Sequence, residues 1–260
     1  MQDLSAELVR RFFYYPTPTP ELMPPPLWAA GSREVWMRAS DGTRLHALWW
    51  PQPAGAPVIL FFHGNAQNDF AWALVHQDLE PLGCRMLLPD YRGYGKSEGR
   101  PSEQGLYLDG KAALDWLASE SVAESEIILF GKSLGGGVAC HLVPERPFLG
   151  LVLESTFTSM KSVASRLLPF APANVPLPET YPSAEKLARK ACPLLVIHGT
   201  LDTLVPVAEG NALYGLAPPP KKLYLVEGAG HNDVSLVAGS DYARNIGAWL
   251  GSIKSESQPA

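Results

Sequence analysis

Ile127-Ile128-Leu129-Phe130-Gly131-Lys132-Ser133-Leu134-Gly135 is the stretch on which the fold of this chain turns. Its first four residues are a short apolar run with the β-branching of a buried strand. The next seven residues, Gly136-Gly137-Val138-Ala139-Cys140-His141-Leu142, read as a tightly packed helix. Strand, G-x-S-x-G and helix in that order describe a nucleophile elbow, a turn so sharp that its central residue takes strained backbone angles. Residues two before and two after the serine must then be nearly free of side chain, which Gly131 and Gly135 are. Ser133 stands above the sheet at a helix N-terminus, where N–H groups stabilise developing negative charge. A Gly-rich loop with an ordinary serine carries the same five letters, so the rest of the chain decides between the two readings.

Working outward, apolar runs recur on both sides of the elbow. Glu34 to Ser40 and Thr43 to Trp50 read as strands joined by the hairpin signal Asp41-Gly42, so they open the sheet antiparallel. Val58-Ile59-Leu60-Phe61-Phe62 is continuously apolar, as in a strand covered on both faces. A helix is expected through Trp72, Val75 and Leu82, stopped by Gly83, then a strand at Cys84 to Leu88. Ser102 caps a helix running to Ala118. Strands are expected at Leu149–Leu153, Pro193–His198 and Lys222–Val226, with helices at Val207–Leu216 and Val234–Leu250. This alternation predicts an α/β fold: a mostly parallel central sheet of about eight strands flanked by helices. Ligands in such sheets bind beyond the carboxyl ends of the strands, which points to the loops after Phe62, Phe130 and His198.

The ends and one insertion depart from the rhythm. Residues 1–15 read as an amphipathic helix, and 16–30, with Pro16, Pro18, Pro20 and Pro24 to Pro26, as an extended linker; together 1–30 form an N-terminal appendage. The main domain covers 31–251, and 252–260 reads as a flexible tail. Within the domain, 158–190 is a Pro-stiffened insertion with two helical pieces, Met160–Leu168 and Ser183–Arg189, which reads as a small lid.

Composition narrows the function. At 260 residues with 46% hydrophobic content, the chain can bury a large core. A net charge of −5 and the lack of long basic runs argue against a nucleic-acid partner. Cys84, Cys140 and Cys192 each lie in an apolar stretch and read as buried free thiols of a reducing, cytoplasmic compartment. No C-x-x-C or His/Cys spacing indicates a metal, and no cofactor is expected. No apolar segment reaches the roughly 18 residues of a membrane span. Arg10 to Tyr15 offers a peripheral membrane contact or packs its aromatics on the domain.

A nucleophilic serine needs a base, and the base an orienter. Downstream lie Asp202, just past Ile197-His198-Gly199, and His231, just past the last strand, in Gly228-Ala229-Gly230-His231-Asn232-Asp233. Both fall on the same rim as Ser133, in the order Ser, acid, His. Glu154, at the end of the strand after the elbow, is the rival acid. Asp90 opens a Gly-rich loop and reads as a turn former. His63 and His198 read as structural, bonded to loop backbone. Asp233 is expected to cap the closing helix, and Lys132 fills a variable elbow position with no role of its own.

From Glu34 to about Leu250 the chain resembles the α/β-hydrolase superfamily. The matching stretches are Phe62-His63-Gly64-Asn65-Ala66, Asp90-Tyr91-Arg92-Gly93-Tyr94-Gly95-Lys96-Ser97, Gly131 to Gly136, His198-Gly199-Thr200-Leu201-Asp202-Thr203-Leu204-Val205-Pro206, and Gly230-His231. The branch it is most similar to holds small-lid bacterial carboxylesterases, serine aminopeptidase-like hydrolases and protein depalmitoylases. The resemblance implies Ser133 as nucleophile, His231 as base and Asp202 as orienter. It also implies an oxyanion hole from the backbone N–H of Leu134 and, in a loop that is not of the H-G-G-G form, that of Asn65. The expected activity is metal-free hydrolysis of a small ester or thioester of short to medium acyl length. Acyl-protein thioesterase, serine aminopeptidase and perhydrolase chemistry are alternatives on the same machinery. For an aminopeptidase, Glu179 and Glu185 of the lid are the carboxylates on offer. A non-catalytic binder on this scaffold would be expected to lack a triad member, and here all three are present.

Overall fold

The computed structural model describes residues 14–144, 146–167 and 179–256. The expected N-terminal helix falls almost wholly outside the described residues, as does the middle of the lid. Ten strands are described: β1 (Tyr15–Pro16), β2 (Arg33–Arg38), β3 (Arg44–Trp50), β4 (Val58–Phe62), β5 (Ala66–Gln67), β6 (Arg85–Pro89), β7 (Ile127–Lys132), β8 (Gly150–Glu154), β9 (Leu194–Gly199) and β10 (Lys221–Val226). The helices are α1 (Asp69–Trp72), α2 (Val75–Leu79), α3 (Glu103–Ser119), α4 (Leu134–Leu142), α5 (Met160–Leu167), α6 (Ser183–Leu187), α7 (Val207–Leu216), α8 (Val234–Ala238) and α9 (Ser240–Glu256).

Eight strands form one sheet in the order β10-β9-β8-β7-β4-β6-β3-β2. Only the pairings of β3 with β2 and β6 are antiparallel; the others are parallel. This is the architecture the alternating pattern predicts. It places β7, with the elbow at its end, in the middle of the sheet.

Strand periodicity splits the core in two, because successive side chains point to opposite faces. On one face Leu60, Phe62, Leu129, Leu153 and Val196 pack with Leu106 and Leu114 of α3, Val138 of α4 and Leu213 of α7. On the other, Phe61, Phe130, Val152 and Ile197 pack with Phe70, Leu79 and the α9 residues Tyr242, Ile246 and Trp249. Each such side chain contributes about 1.5–3 kcal/mol on burial. Layers on both faces hold the strand ends still and so fix the loops that grow from them.

Several boundaries differ from the sequence reading. The helix expected through Leu82 is two short helices and a 3₁₀ turn, ended at Gly83, whose φ is +62°. The closing helix breaks at Gly239 (φ +54°), and its second half runs to Glu256, beyond the point where the tail was expected. Residues 16–19, read as part of an extended linker, are extended and tied down. β1 pairs in parallel with β5, and Thr17 and Thr19 exchange backbone hydrogen bonds with Gln67 and Gly95. A strap from the N-terminus thus lies across the loop that follows β4.

Candidate active site

The elbow forms as its letters require. Ser133 has φ +52° and ψ −116°, a strained conformation for a residue with a side chain. A Cβ on Gly131 would lie 2.6 Å from the Gly135 carbonyl oxygen, and one on Gly135 only 2.0 Å from that of Phe62. These two glycines allow the turn to fold back on β7 and β4. Leu134 is the first residue of α4, so its N–H is among the helix-start donors without an intrahelical acceptor.

His231, in the loop between β10 and α8, meets Ser133 across the rim. Its Nε2 lies 3.0 Å from Ser133 Oγ, and its Nδ1 lies 2.7 Å from Asp202 Oδ2. Asp202 Oδ1 accepts hydrogen bonds from the backbone N–H groups of Leu204 and Val205 at 2.9 and 2.8 Å. Burial by itself would raise the Asp202 carboxyl; hydrogen bonding to His198 and His231 outweighs it and holds the group below the usual carboxylate range. An ionised Asp202 makes Nδ1 of His231 the protonated nitrogen, leaving Nε2 free to accept the Ser133 proton.

Glu154, the rival acid, faces a different partner. Its Oε1 pairs with Lys132 Nζ and its Oε2 accepts from the Tyr242 hydroxyl at 2.5 Å. Lys132 therefore departs from the expectation that it has no role. It is buried against Glu154 in the wall of the cavity that holds Ser133. No spacing in the sequence announces the pair, because β7 and β8 bring it together by register, Lys132 opposite Glu154.

The loop after β4 is braced from several directions. The Tyr91 hydroxyl donates to the His63 carbonyl at 2.9 Å, and the Tyr94 hydroxyl donates to the Asn65 carbonyl at 2.9 Å. Tyr15 N donates to Asn65 Oδ1 at 3.3 Å. Arg92, bonded to Asp109 of α3 and to Asp41, anchors the loop that carries both tyrosines. This fixes the backbone around Asn65, the second expected oxyanion donor. His63 donates from Nδ1 to the Gly64 carbonyl at 2.7 Å, and His198 Nε2 to that of Val205 at 2.7 Å, so both are loop-bonded as expected. Burial holds the His63 pKa down against the pull of Asp90. Asp233 stands at the N-cap of α8, but its carboxylate accepts from Gly230 N at 2.6 Å; it shapes the His231 loop and makes no cap bond.

One His/Asp group among the described residues is close enough to hold a metal: His46, Asp69 and Asp90, drawn from three separate segments. The three are fully buried, and none lines the cavity at Ser133. His46 lies between Glu34, 2.7 Å from its Nε2, and Asp69, 2.8 Å from its Nδ1. Burial alone would lower the His46 pKa, but Asp69 and Asp90 overcome it and raise it to about 9. Asp90 itself is pushed up to about 7 by burial and by Asp69. Asp90 Oδ1 accepts from Asp69 N at 2.7 Å, which ties α1 to the loop after β6.

Ser133 and His231 open on a cavity of about 800 Å³. Leu134, Phe157, Met160, Val163 and Leu204 give it an apolar wall beneath α5. Trp72, Lys132, Glu154 and Tyr242 also line it. Trp72, Phe157 and Tyr242 are cavity residues that sequence reasoning missed, since aromatics in apolar stretches look like core.

A profile of the alpha/beta hydrolase fold family matches residues 57–178. An uncharacterized protein of Mycobacterium tuberculosis is 40% identical over 233 residues, which cover 88% of this chain and 83% of the relative. The alpha/beta hydrolase domain-containing protein WAV2 of Arabidopsis thaliana is 36% identical over 71% of this chain and 66% of its own length. Among solved structures, the esterase Pf2001 of Pyrococcus furiosus superposes with a TM-score of 0.74 at 21% identity, over 92% of this chain and 98% of that one. The chain belongs to the alpha/beta hydrolase family. Among its described residues, no helix is long and apolar enough to cross a membrane.

Proposed function

We propose that the chain hydrolyses carboxylic esters of short to medium acyl length through an acyl-enzyme on Ser133. The observation that carries this reading is the continuous hydrogen-bonded line Ser133–His231–Asp202, at 3.0 and 2.7 Å, opening on a cavity with an apolar wall. Ser133 Oγ attacks the acyl carbonyl as its proton passes to His231 Nε2. Asp202 stabilises the imidazolium, and His231 returns the proton to the departing alkoxide. Water then repeats the sequence on the acyl-enzyme. The backbone N–H groups of Leu134 and Asn65 take the oxyanion. None of these steps calls on a metal.

An aminopeptidase would draw on the lid carboxylates to hold a substrate's free amine. Glu179 is instead buried against the Tyr14 hydroxyl and the backbone N–H of Glu103, and neither it nor Glu185 lines the cavity. Of the carboxylates that do line the cavity, Glu154 is already paired with Lys132 and Asp78 is exposed, so neither is a ready partner for a substrate amine, and ester cleavage is the reading the site favours. On this reading Met160 and Val163 of α5 wall the acyl side.

Labelling with a fluorophosphonate, followed by p-nitrophenyl esters from acetate to palmitate, tests the proposal. Wild type should be labelled and Ser133→Ala should not, with the latter's turnover down about 10⁴-fold or more. kcat/KM should rise over the first few carbons and then fall. Retention of a tenth of the turnover by Ser133→Ala would overturn the mechanism, and a steady rise to palmitate would overturn the acyl preference.

A further inference from the structure

Three buried groups beside Ser133 take no part in the triad mechanism. Lys132 directly precedes the nucleophile, and its side chain is 10% exposed. It pairs with Glu154, whose side chain is 2% exposed and whose other oxygen accepts from Tyr242. Burial and the neighbouring Glu154 raise the Tyr242 pKa well above its ordinary value, so the hydroxyl keeps its proton and donates. Glu154 also accepts, through its main-chain oxygen, from the Ser133 N–H at 2.9 Å. The cluster is thus tied to the elbow itself.

Its bonding capacity is only partly used. An ammonium has three donors, and Glu154 takes one; a carboxylate has about four acceptor positions, and Lys132 and Tyr242 take two. Both groups line the cavity. An ion pair facing an apolar ligand group would lose water and gain nothing in return. The pair is neutral as a unit, so a ligand group of either charge would meet one like charge at close range. Asp78, the other carboxylate on the wall, is solvent-exposed and screened. A neutral group that both donates and accepts hydrogen bonds is the one that fits.

We infer that Lys132 and Glu154 form a specificity site for a neutral hydroxyl or amide group on the alcohol part of the ester. This rests on the esterase reading, in which the apolar wall under α5 takes the acyl chain. The alcohol then extends along the rest of the lining, where Trp72 provides the flat face and the ion pair the polar end. The preferred substrate class is therefore an ester of a short hydroxylated or amide-bearing alcohol, ahead of a simple alkyl ester of the same acid.

The test uses two nearly isosteric substrates, 2-hydroxyethyl butyrate and propyl butyrate, in which a hydroxyl replaces a methyl. Each kcat/KM is normalised to the ester's own alkaline hydrolysis rate, and the ratio of the two is read. A ratio does not depend on how much of a variant is folded, so a partly misfolded Lys132→Met preparation still reports. Wild type should favour the hydroxylated ester by about tenfold or more, the size of a hydrogen bond to a charged group. Lys132→Met and Glu154→Gln should bring the ratio towards one, and butyrylcholine should gain no such preference. A wild-type ratio within twofold of one would overturn the inference while leaving the esterase reading in place. The same holds if both variants keep the wild-type ratio, since the pair would then be purely structural. A wild type that cleaves neither ester would refute the esterase reading and the inference with it.

Discussion

Replacing Asp202 by Asn changes few atoms and separates the two candidate acids. The side chain keeps its shape, and its remaining oxygen can still accept from Leu204 N and Val205 N, so the loop should hold. The consequence falls on His231, whose Nδ1 lies 2.7 Å from the other carboxylate oxygen. With an amide –NH₂ there, Nδ1 must become an acceptor, and the proton moves to Nε2. Nε2–H then faces Ser133 Oγ at 3.0 Å and has no lone pair with which to take its proton. Loss of the correct tautomer in a serine triad costs about 10⁴-fold in kcat, or roughly 5 to 6 kcal/mol at about 1.4 kcal/mol per factor of ten. The assay is the initial rate of p-nitrophenyl butyrate hydrolysis, with the rate of fluorophosphonate labelling as a second readout of nucleophile activation. Glu154→Gln is the control; its carboxylate is bound to Lys132 and Tyr242, so turnover of this ester should fall far less, by about tenfold at most. A Glu154→Gln enzyme slower than Asp202→Asn, or an Asp202→Asn enzyme with a tenth of wild-type turnover, would refute the assignment.

Three further outcomes are expected. Gly135→Ala places a methyl 2.0 Å from the Phe62 carbonyl oxygen, a main-chain clash that cannot be relieved by a rotamer change; denaturant unfolding should show a loss of about 3 kcal/mol or more, and wild-type stability would contradict the tight elbow. His46 binds its proton more tightly in the folded state, with a pKa of about 9 against 6.5 unfolded. Its contribution is complete below about pH 6.5 and lost as pH rises through 9, so thermal stability should decline across that window by an amount on the order of 3 kcal/mol; a flat profile would remove the charged His46 from the account. Dialysis against EDTA should leave ester hydrolysis intact, because the proposed triad needs no ion, and a loss restored by Zn²⁺ would contradict the serine mechanism.

The sequence alone determined the sheet and most of the rim. Continuous apolar runs such as Val58–Phe62 and Ile127–Phe130, short and β-branched or aromatic, read as strands covered on both faces, and their alternation with helical segments points to a mostly parallel sheet. The meeting of Ser133, Asp202 and His231 on one rim was legible because each follows a strand, and strand ends of a parallel sheet share one edge. Tertiary structure decided what no local pattern carries. Register brings Lys132 opposite Glu154, and the packing of α9 adds Tyr242. His46, Asp69 and Asp90 come together in the core although 23 and 21 residues separate them in turn. Glu179, which reads as a pocket carboxylate from its place in the lid, is drawn away by Tyr14 from the far end of the chain. Chain order and periodicity place backbone; the partner of a buried charge depends on which distant segment packs beside it.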